Sequence, residues 1–314
     1  MTDTSGIVVE RDLMVPARDR VVLATDVYRP DGPGPFSVLF ERTPYDKSAP
    51  SRAERSAAVA RPRSRAETAA YFVEHGYAVA YQDCRGRYHS GGSFTKYLSE
   101  AEDGYEALAW LRRQPWCNGR VGTFGLSYAA HTQAALGCLD PPGLAAQFLD
   151  CGGFSNAYRS GIRHGGAFDL KQATWAYRNA LADARDPVVK AALAAQDIGT
   201  WFRRMPWHKG DSPISAAPEF EDYLFEQWSH GVFDDYWKRR RIYARCADRA
   251  FVGLVRPLCA NRDGELCRPV AGQAQPDTAD PRPVDPWRPL VKPCRRGRVR
   301  ARRSGGWEPR GGFL

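Results

Sequence analysis

The run Arg120-Val121-Gly122-Thr123-Phe124-Gly125-Leu126-Ser127-Tyr128-Ala129-Ala130 joins a β-type segment to a helical one across a single Gly-x-Ser turn. Residues 120–124 alternate as a strand does, and residues 127–137 are small helix formers. A strand that enters a helix this abruptly makes a sharp elbow, whose strained serine tolerates only small neighbours. Gly125, Ala129 and Ala130 supply that smallness. The geometry would present the Ser127 hydroxyl at the carboxyl edge of a sheet. There the first N–H groups and the dipole of the helix favour an oxyanion. The alternative is a serine that only caps the helix.

Working outward, strands and helices alternate on both sides of the elbow. Residues 6–14 and 20–28 read as β-strands around the turn Pro16-Ala17-Arg18-Asp19, and residues 37–41, 77–82 and 146–150 as further strands. Residues 66–74, closed by Gly76, and residues 100–113 carry helical periodicity. Residues 48–65 read as an exposed Arg/Ala/Ser-rich excursion. The pattern predicts an α/β fold with a mainly parallel sheet over residues 1–153. Residues 154–240 turn aromatic- and arginine-rich with no strand alternation, as a helical cap laid over the sheet would. Residues 241–314 carry nine prolines from Pro257 to Pro309 and no lasting period, so a disordered basic tail is expected.

The formal net charge of +9 belongs to that tail. Of 45 Lys+Arg and 36 Asp+Glu, residues 241–314 hold 16 and 7, which leaves 29 of each in residues 1–240. A nucleic-acid partner would have to use the tail alone, and its run Arg295-Arg296-Gly297-Arg298-Val299-Arg300-Ala301-Arg302-Arg303 has no interleaved aromatics, which favours a solvated segment. No stretch approaches 18 uninterrupted apolar residues and the N-terminus lacks a signal-peptide pattern, so a cytoplasmic protein without a membrane span is expected. The eight cysteines include no C-x-x-C pair and read as free thiols; neither a metal site nor a cofactor is expected.

Four further segments stand in a recognisable order with the elbow: Glu41-Arg42-Thr43-Pro44-Tyr45-Asp46-Lys47; Asp83-Cys84-Arg85-Gly86-Arg87 with Ser90-Gly91-Gly92; Glu102-Asp103-Gly104-Tyr105; and Gln114-Pro115-Trp116-Cys117-Asn118-Gly119. With Gly125-x-Ser127-Tyr128, the set resembles the cocaine-esterase/Xaa-Pro dipeptidyl-peptidase-like (CocE/NonD) branch of the α/β-hydrolases, over roughly residues 8–240. The resemblance implies a nucleophile at Ser127 acylated by a small-molecule ester or amide. It also implies an oxyanion held by the Tyr45 phenol and the Tyr128 backbone N–H. Ala130 stands where many relatives have glycine.

The resemblance also implies an Asp after a Gly-Trp-x-Asp strand end, a later His, and a C-terminal β-jelly-roll domain. Phe251-Val252-Gly253-Leu254-Val255-Arg256-Pro257 takes the place of that strand, and the last 84 residues contain no histidine. The identities of the catalytic Asp and His stay unknown. His131, one turn along the elbow helix, and His164, His208 and His230 in the cap are poor substitutes. A truncated fold of impaired activity, or a non-catalytic hydrolase-fold protein, is therefore expected. The Arg, Pro, Ala, Gly and Cys enrichment beyond residue 241 is what a GC-rich coding sequence gives in a shifted frame. Another frame near codon 241 should then encode Gly-Trp-x-Asp and a later His.

Overall fold

A computed structural model describes residues 6–50, 63–150, 158–204 and 206–239. The expectations for residues 241–314 — the tail, the missing strand and the absent domain — lie outside the described residues.

Six strands form the sheet: β1 (Ile7–Pro16), β2 (Val22–Pro30), β3 (Phe36–Thr43), β4 (Tyr77–Asp83), β5 (Cys117–Leu126) and β6 (Leu144–Asp150). Their order is β1-β2-β4-β3-β5-β6. The first two strands are a hairpin that pairs antiparallel with β4, while β4, β3, β5 and β6 run parallel. Central β2, β3 and β4 are buried almost throughout, as strands covered on both faces should be. Register aligns Thr43 with Asp83 and Leu126 with Asp150, so the parallel strands end together. At such a shared carboxyl edge an open α/β sheet opens its crevice.

Helices α1 (Arg65–Glu74), α2 (Glu100–Arg112) and α3 (Tyr128–Gly137) connect these strands. Helix α1 starts at a capping box: Ser64 Oγ accepts from Glu67 N at 3.1 Å, and Ser64 N donates to Glu67 Oε2 at 2.7 Å. It stops before Gly76, whose φ of +82° no β-carbon accommodates cheaply. Helix α2 buries Ala101, Gly104, Ala107, Leu108 and Leu111 as a helical stripe, of which Ala107, Leu108 and Leu111 pack with Val38, Phe40 and Val121. Tyr28, Tyr81 and Val79 cover the other face with Ala69 and Val73 of α1. Each large apolar side chain so buried contributes roughly 1.5–3 kcal/mol.

Beyond the sheet lie a π-helical turn (Tyr158–Ile162), a hairpin of β7 (Arg163–His164) and β8 (Ala167–Phe168), and helices α4 (Lys171–Asp183), α5 (Pro187–Ala194), α6 (Ile198–Trp201), α7 (Pro218–Ser229) and α8 (Asp235–Arg239). These helices gather Trp201, Trp207, Phe220, Leu224 and Trp237 into a core that also takes in Phe94, Tyr97 and Tyr128. The small hairpin corrects the expectation of a strand-free segment: Gly165 and Gly166, both at positive φ, turn the chain back within two residues. Arg65 corrects another. It is not in an exposed excursion but buried, with its guanidinium 3.0 Å from the Glu41 carboxylate. Cys84 and Cys117 are free, whereas Cys138 is disulfide-bonded, against the free-thiol reading; pairing depends on spatial approach and not on sequence spacing.

Candidate active site

Strand β5 passes into α3 through Ser127, which sits at φ 59°, ψ −110°. A non-glycine residue in that conformation is strained and needs the surrounding structure to hold it. The holding is visible. Ser127 N donates to Asp150 O at 2.9 Å, and Ser127 O accepts from Ala130 N at 3.1 Å and His131 N at 3.2 Å. Gln133 ties the helix back to the strand through its Nε2, which donates to Ala129 O at 3.0 Å, and its Oε1, which accepts from Thr123 Oγ1 at 3.0 Å. Gly125 has φ +143°, and a β-carbon there would stand 2.5 Å from that of Ala129. The small residues of the elbow are a steric requirement. Ser127 is exposed and makes no side-chain cap bond, so its hydroxyl is not consumed by the helix end.

Tyr128 opens the helix, where the first N–H groups have no intrahelical acceptor. Its ring is buried. The phenol donates to Glu100 Oε1 at 2.8 Å and accepts from Tyr97 N at 2.8 Å, and the ring stacks on Tyr97 at 5.1 Å between centroids. Glu100 in turn faces Arg42 at 2.9 Å, and Arg42 also bonds Gln82 Oε1 at 2.8 Å and lies 3.6 Å from Asp103. Burial raises both the Glu100 carboxyl and the Tyr128 phenol, the Arg42 charge opposing the shift at Glu100. Thus the Glu41–Lys47 and Glu102–Tyr105 segments do physical work: they bury a charge network beneath the elbow.

The Glu41–Lys47 and Asp83–Arg87 segments together aim Tyr45. Thr43 Oγ1 accepts from Tyr45 N at 3.1 Å, Arg87 Nε donates to Pro44 O at 3.0 Å, and Lys47 N donates to Asp83 Oδ1 at 2.7 Å. The Asp83 carboxyl is pushed up to about 6, chiefly by burial. Trp175 Nε1 donates to the Tyr45 hydroxyl at 3.0 Å, and the Tyr45 ring meets the Tyr128 ring edge-on.

Ser127, Tyr45 and Tyr128 line one cavity of about 680 Å³, together with Lys96, Tyr97 and Trp175. The structure therefore brings together the three residues singled out from the sequence. All six histidines of the chain are described, and none lines this cavity. His131 is buried against Tyr97 and Tyr128, and burial lowers its imidazole to about 4. His164 pairs with Asp169 at 3.2 Å, His230 with Asp234 at 2.6 Å, and His208 is exposed. Among the described residues no group of three His, Cys, Asp or Glu side chains could hold a metal ion. Nor is any described helix long and apolar enough to cross a membrane. Sequence reading missed Lys96 and Trp175, which reach the cavity from a loop and from α4 and carry no local signal.

The fold and the elbow define an α/β-hydrolase with a helical cap. Residues 19–254 match the model of the X-Pro dipeptidyl-peptidase (S15) family, and the chain belongs to that family. It is 42% identical over 125 residues to the cocaine esterase of Rhodococcus sp. (strain MB1 Bresler), an alignment covering 40% of this chain and 20% of the esterase. A CocE/NonD family hydrolase from Staphylococcus aureus superposes with a TM-score of 0.56 at 27% identity, covering 75% of this chain and 38% of that one. An aminopeptidase from a marine sediment archaeon, Thaumarchaeota archaeon, shares the fold with a TM-score of 0.54 at 22% identity, covering 77% of this chain and 41% of that one. The chain thus spans under half the length of each of these relatives.

Proposed function

We propose that the chain carries the acyl-transfer half of a serine hydrolase acting on small-molecule esters or amides. The observation behind this reading is the exposed, strained Ser127, whose hydroxyl opens into the cavity shared with Tyr45. Ser127 Oγ attacks the acyl carbon, and the developing oxyanion takes hydrogen bonds from the Tyr128 N–H and the Tyr45 O–H. Collapse expels the alcohol or amine and leaves an acyl-Ser127 ester, which water then cleaves.

Proton transfer is where this chain is weak. With no imidazole lining the cavity, the 314 residues by themselves turn over slowly, by a factor on the order of 10⁴–10⁶ against an intact triad. The same observation supports a second reading, a hydrolase fold without catalysis. A serine-directed fluorophosphonate probe with p-nitrophenyl ester turnover separates the two. Labelling at Ser127, with residual turnover abolished in Ser127→Ala, supports the hydrolase; no labelling of folded protein supports the non-catalytic reading.

A further inference from the structure

Six cationic side chains are buried among the described residues: Arg42, Lys47, Arg65, Arg87, Lys96 and Arg163. Four of them face a carboxylate of their own. Arg42 meets Glu100 at 2.9 Å, Lys47 meets Asp26 at 2.6 Å, Arg65 meets Glu41 at 3.0 Å and Arg87 meets Asp183 at 2.9 Å. Arg163 is held by carbonyl oxygens instead, with Trp228 O at 2.6 Å and Gly166 O at 3.1 Å, at the carbonyl end of α7. Lys96 has neither arrangement. Its ammonium donates to one neutral acceptor, Gln172 Oε1 at 2.8 Å, and stands 4.0 Å from the Trp175 ring centroid and 5.0 Å from that of Tyr97.

An ammonium has three N–H donors, and burying it against one amide oxygen and ring faces leaves its charge undercompensated. Asp169, whose charge does reach it, already bonds Lys171 at 2.9 Å. Burial and the neighbouring Lys171 push the Lys96 ammonium well below the ordinary lysine range. Lys96 nevertheless lines the Ser127 cavity, as the carboxylate-paired Arg65 also does, and the other charges there lean the same way. Lys171 and Arg178 line it too, while Glu41 is neutralised by Arg65.

Resting on the acyl-transfer reading above, we infer that Lys96 is a specificity residue that anchors a carboxylate carried by the substrate, between the Trp175 and Tyr97 rings and beside the ester or amide that Ser127 attacks. The carboxylate supplies a counter-charge that the described residues do not, and the aromatic faces favour an aryl or alkyl spacer between the two groups. A substrate bearing an ammonium at this position meets an excess of positive charge and is disfavoured.

The test compares monomethyl terephthalate with methyl 4-carbamoylbenzoate, two esters that differ only in a carboxylate against a carboxamide. Binding is measured by isothermal titration to the Ser127→Ala protein, which cannot acylate. The carboxylate ester should bind about tenfold tighter or better, the scale of one charge-assisted hydrogen bond. In the Lys96→Met, Ser127→Ala double variant the preference should vanish while affinity for the amide ester is kept; Lys96→Arg should retain it. Equal binding of the two esters, or a preference that survives Lys96→Met, overturns the inference. Should Lys96→Met not fold, Lys96→Gln, which keeps a neutral donor at this position, decides by the same titration. The preference for monomethyl terephthalate should fall several-fold, and an unchanged preference overturns the inference. Fluorophosphonate labelling of the wild-type chain in parallel keeps the two proposals apart. Labelling without carboxylate preference removes only the Lys96 inference; preference without labelling removes only the acyl-transfer reading.

Discussion

Gly125→Ala tests the elbow by steric arithmetic. The added β-carbon falls 2.5 Å from Ala129 Cβ, about an ångström inside normal contact, and 3.4 Å from the Ala129 carbonyl carbon and Glu41 Cγ. Overpacking a rigid site in this way costs about 1–3 kcal/mol. The φ of +143° is glycine territory and adds about 1–3 kcal/mol of backbone strain. The single variant should therefore lose about 2–6 kcal/mol, read from the shift in urea midpoint at unchanged m-value. Ala129→Gly alone should cost about 1 kcal/mol as a helix glycine. Combined, the two remove the clash but not the strain, so the double-mutant cycle should return a favourable coupling of about 1–3 kcal/mol. A Gly125→Ala protein within about 0.5 kcal/mol of wild type, or a cycle that closes without coupling, would refute the claim that the elbow is sterically saturated.

Glu100→Gln leaves Arg42 facing a neutral amide in a buried site and should cost about 3–5 kcal/mol in the same denaturation assay. Asp83 makes a pH prediction: its folded-state carboxyl titrates near 6 against 3.8 for the ordinary group. The folded state thus holds the proton longer than the unfolded one, and this residue withdraws stability as pH rises from about 4 to 6, roughly 3 kcal/mol in all. Wild type minus Asp83→Asn, followed by urea unfolding from pH 4 to 7, should slope downward through that window and flatten above it; a flat difference contradicts the assignment. Tyr45→Phe should slow fluorophosphonate labelling by about 10²–10³-fold if its O–H meets the oxyanion. Trp175→Phe, which removes only the indole donor to that phenol, should slow it by a smaller factor, about 3–10-fold. Equal rates in all three proteins would exclude the phenol from the reaction.

The parts of this fold written in local pattern were legible in the sequence. Alternation gave the strands, Gly76 the end of α1, and Gly125-x-Ser127 the turn from β5 into α3, because each depends on residues a few positions apart. What escaped depends on contacts across the chain. Arg65 looks like part of an arginine-rich surface segment until Glu41, 24 positions away, is seen 3.0 Å from it. Lys96 sits in an unremarkable Thr-Lys-Tyr loop, and its cage comes from Gln172 and Trp175 of α4. Cys138 shows the same blindness for disulfides. The order of motifs pointed at Tyr45, but only the sheet register explains why: Thr43, Asp83 and Leu126 end their strands together, so the residues that follow face one cavity.

On the proposed reading, Ser127 is a poised nucleophile without an imidazole beside it. Intact-mass and peptide-mapping analysis of the folded chain after fluorophosphonate treatment tests it most directly. One phosphonyl adduct is expected on the peptide carrying Ser127, formed far more slowly than on a hydrolase with a complete triad and absent from Ser127→Ala. No adduct after prolonged exposure, an adduct on another residue, or labelling as fast as that of a complete triad would each contradict it.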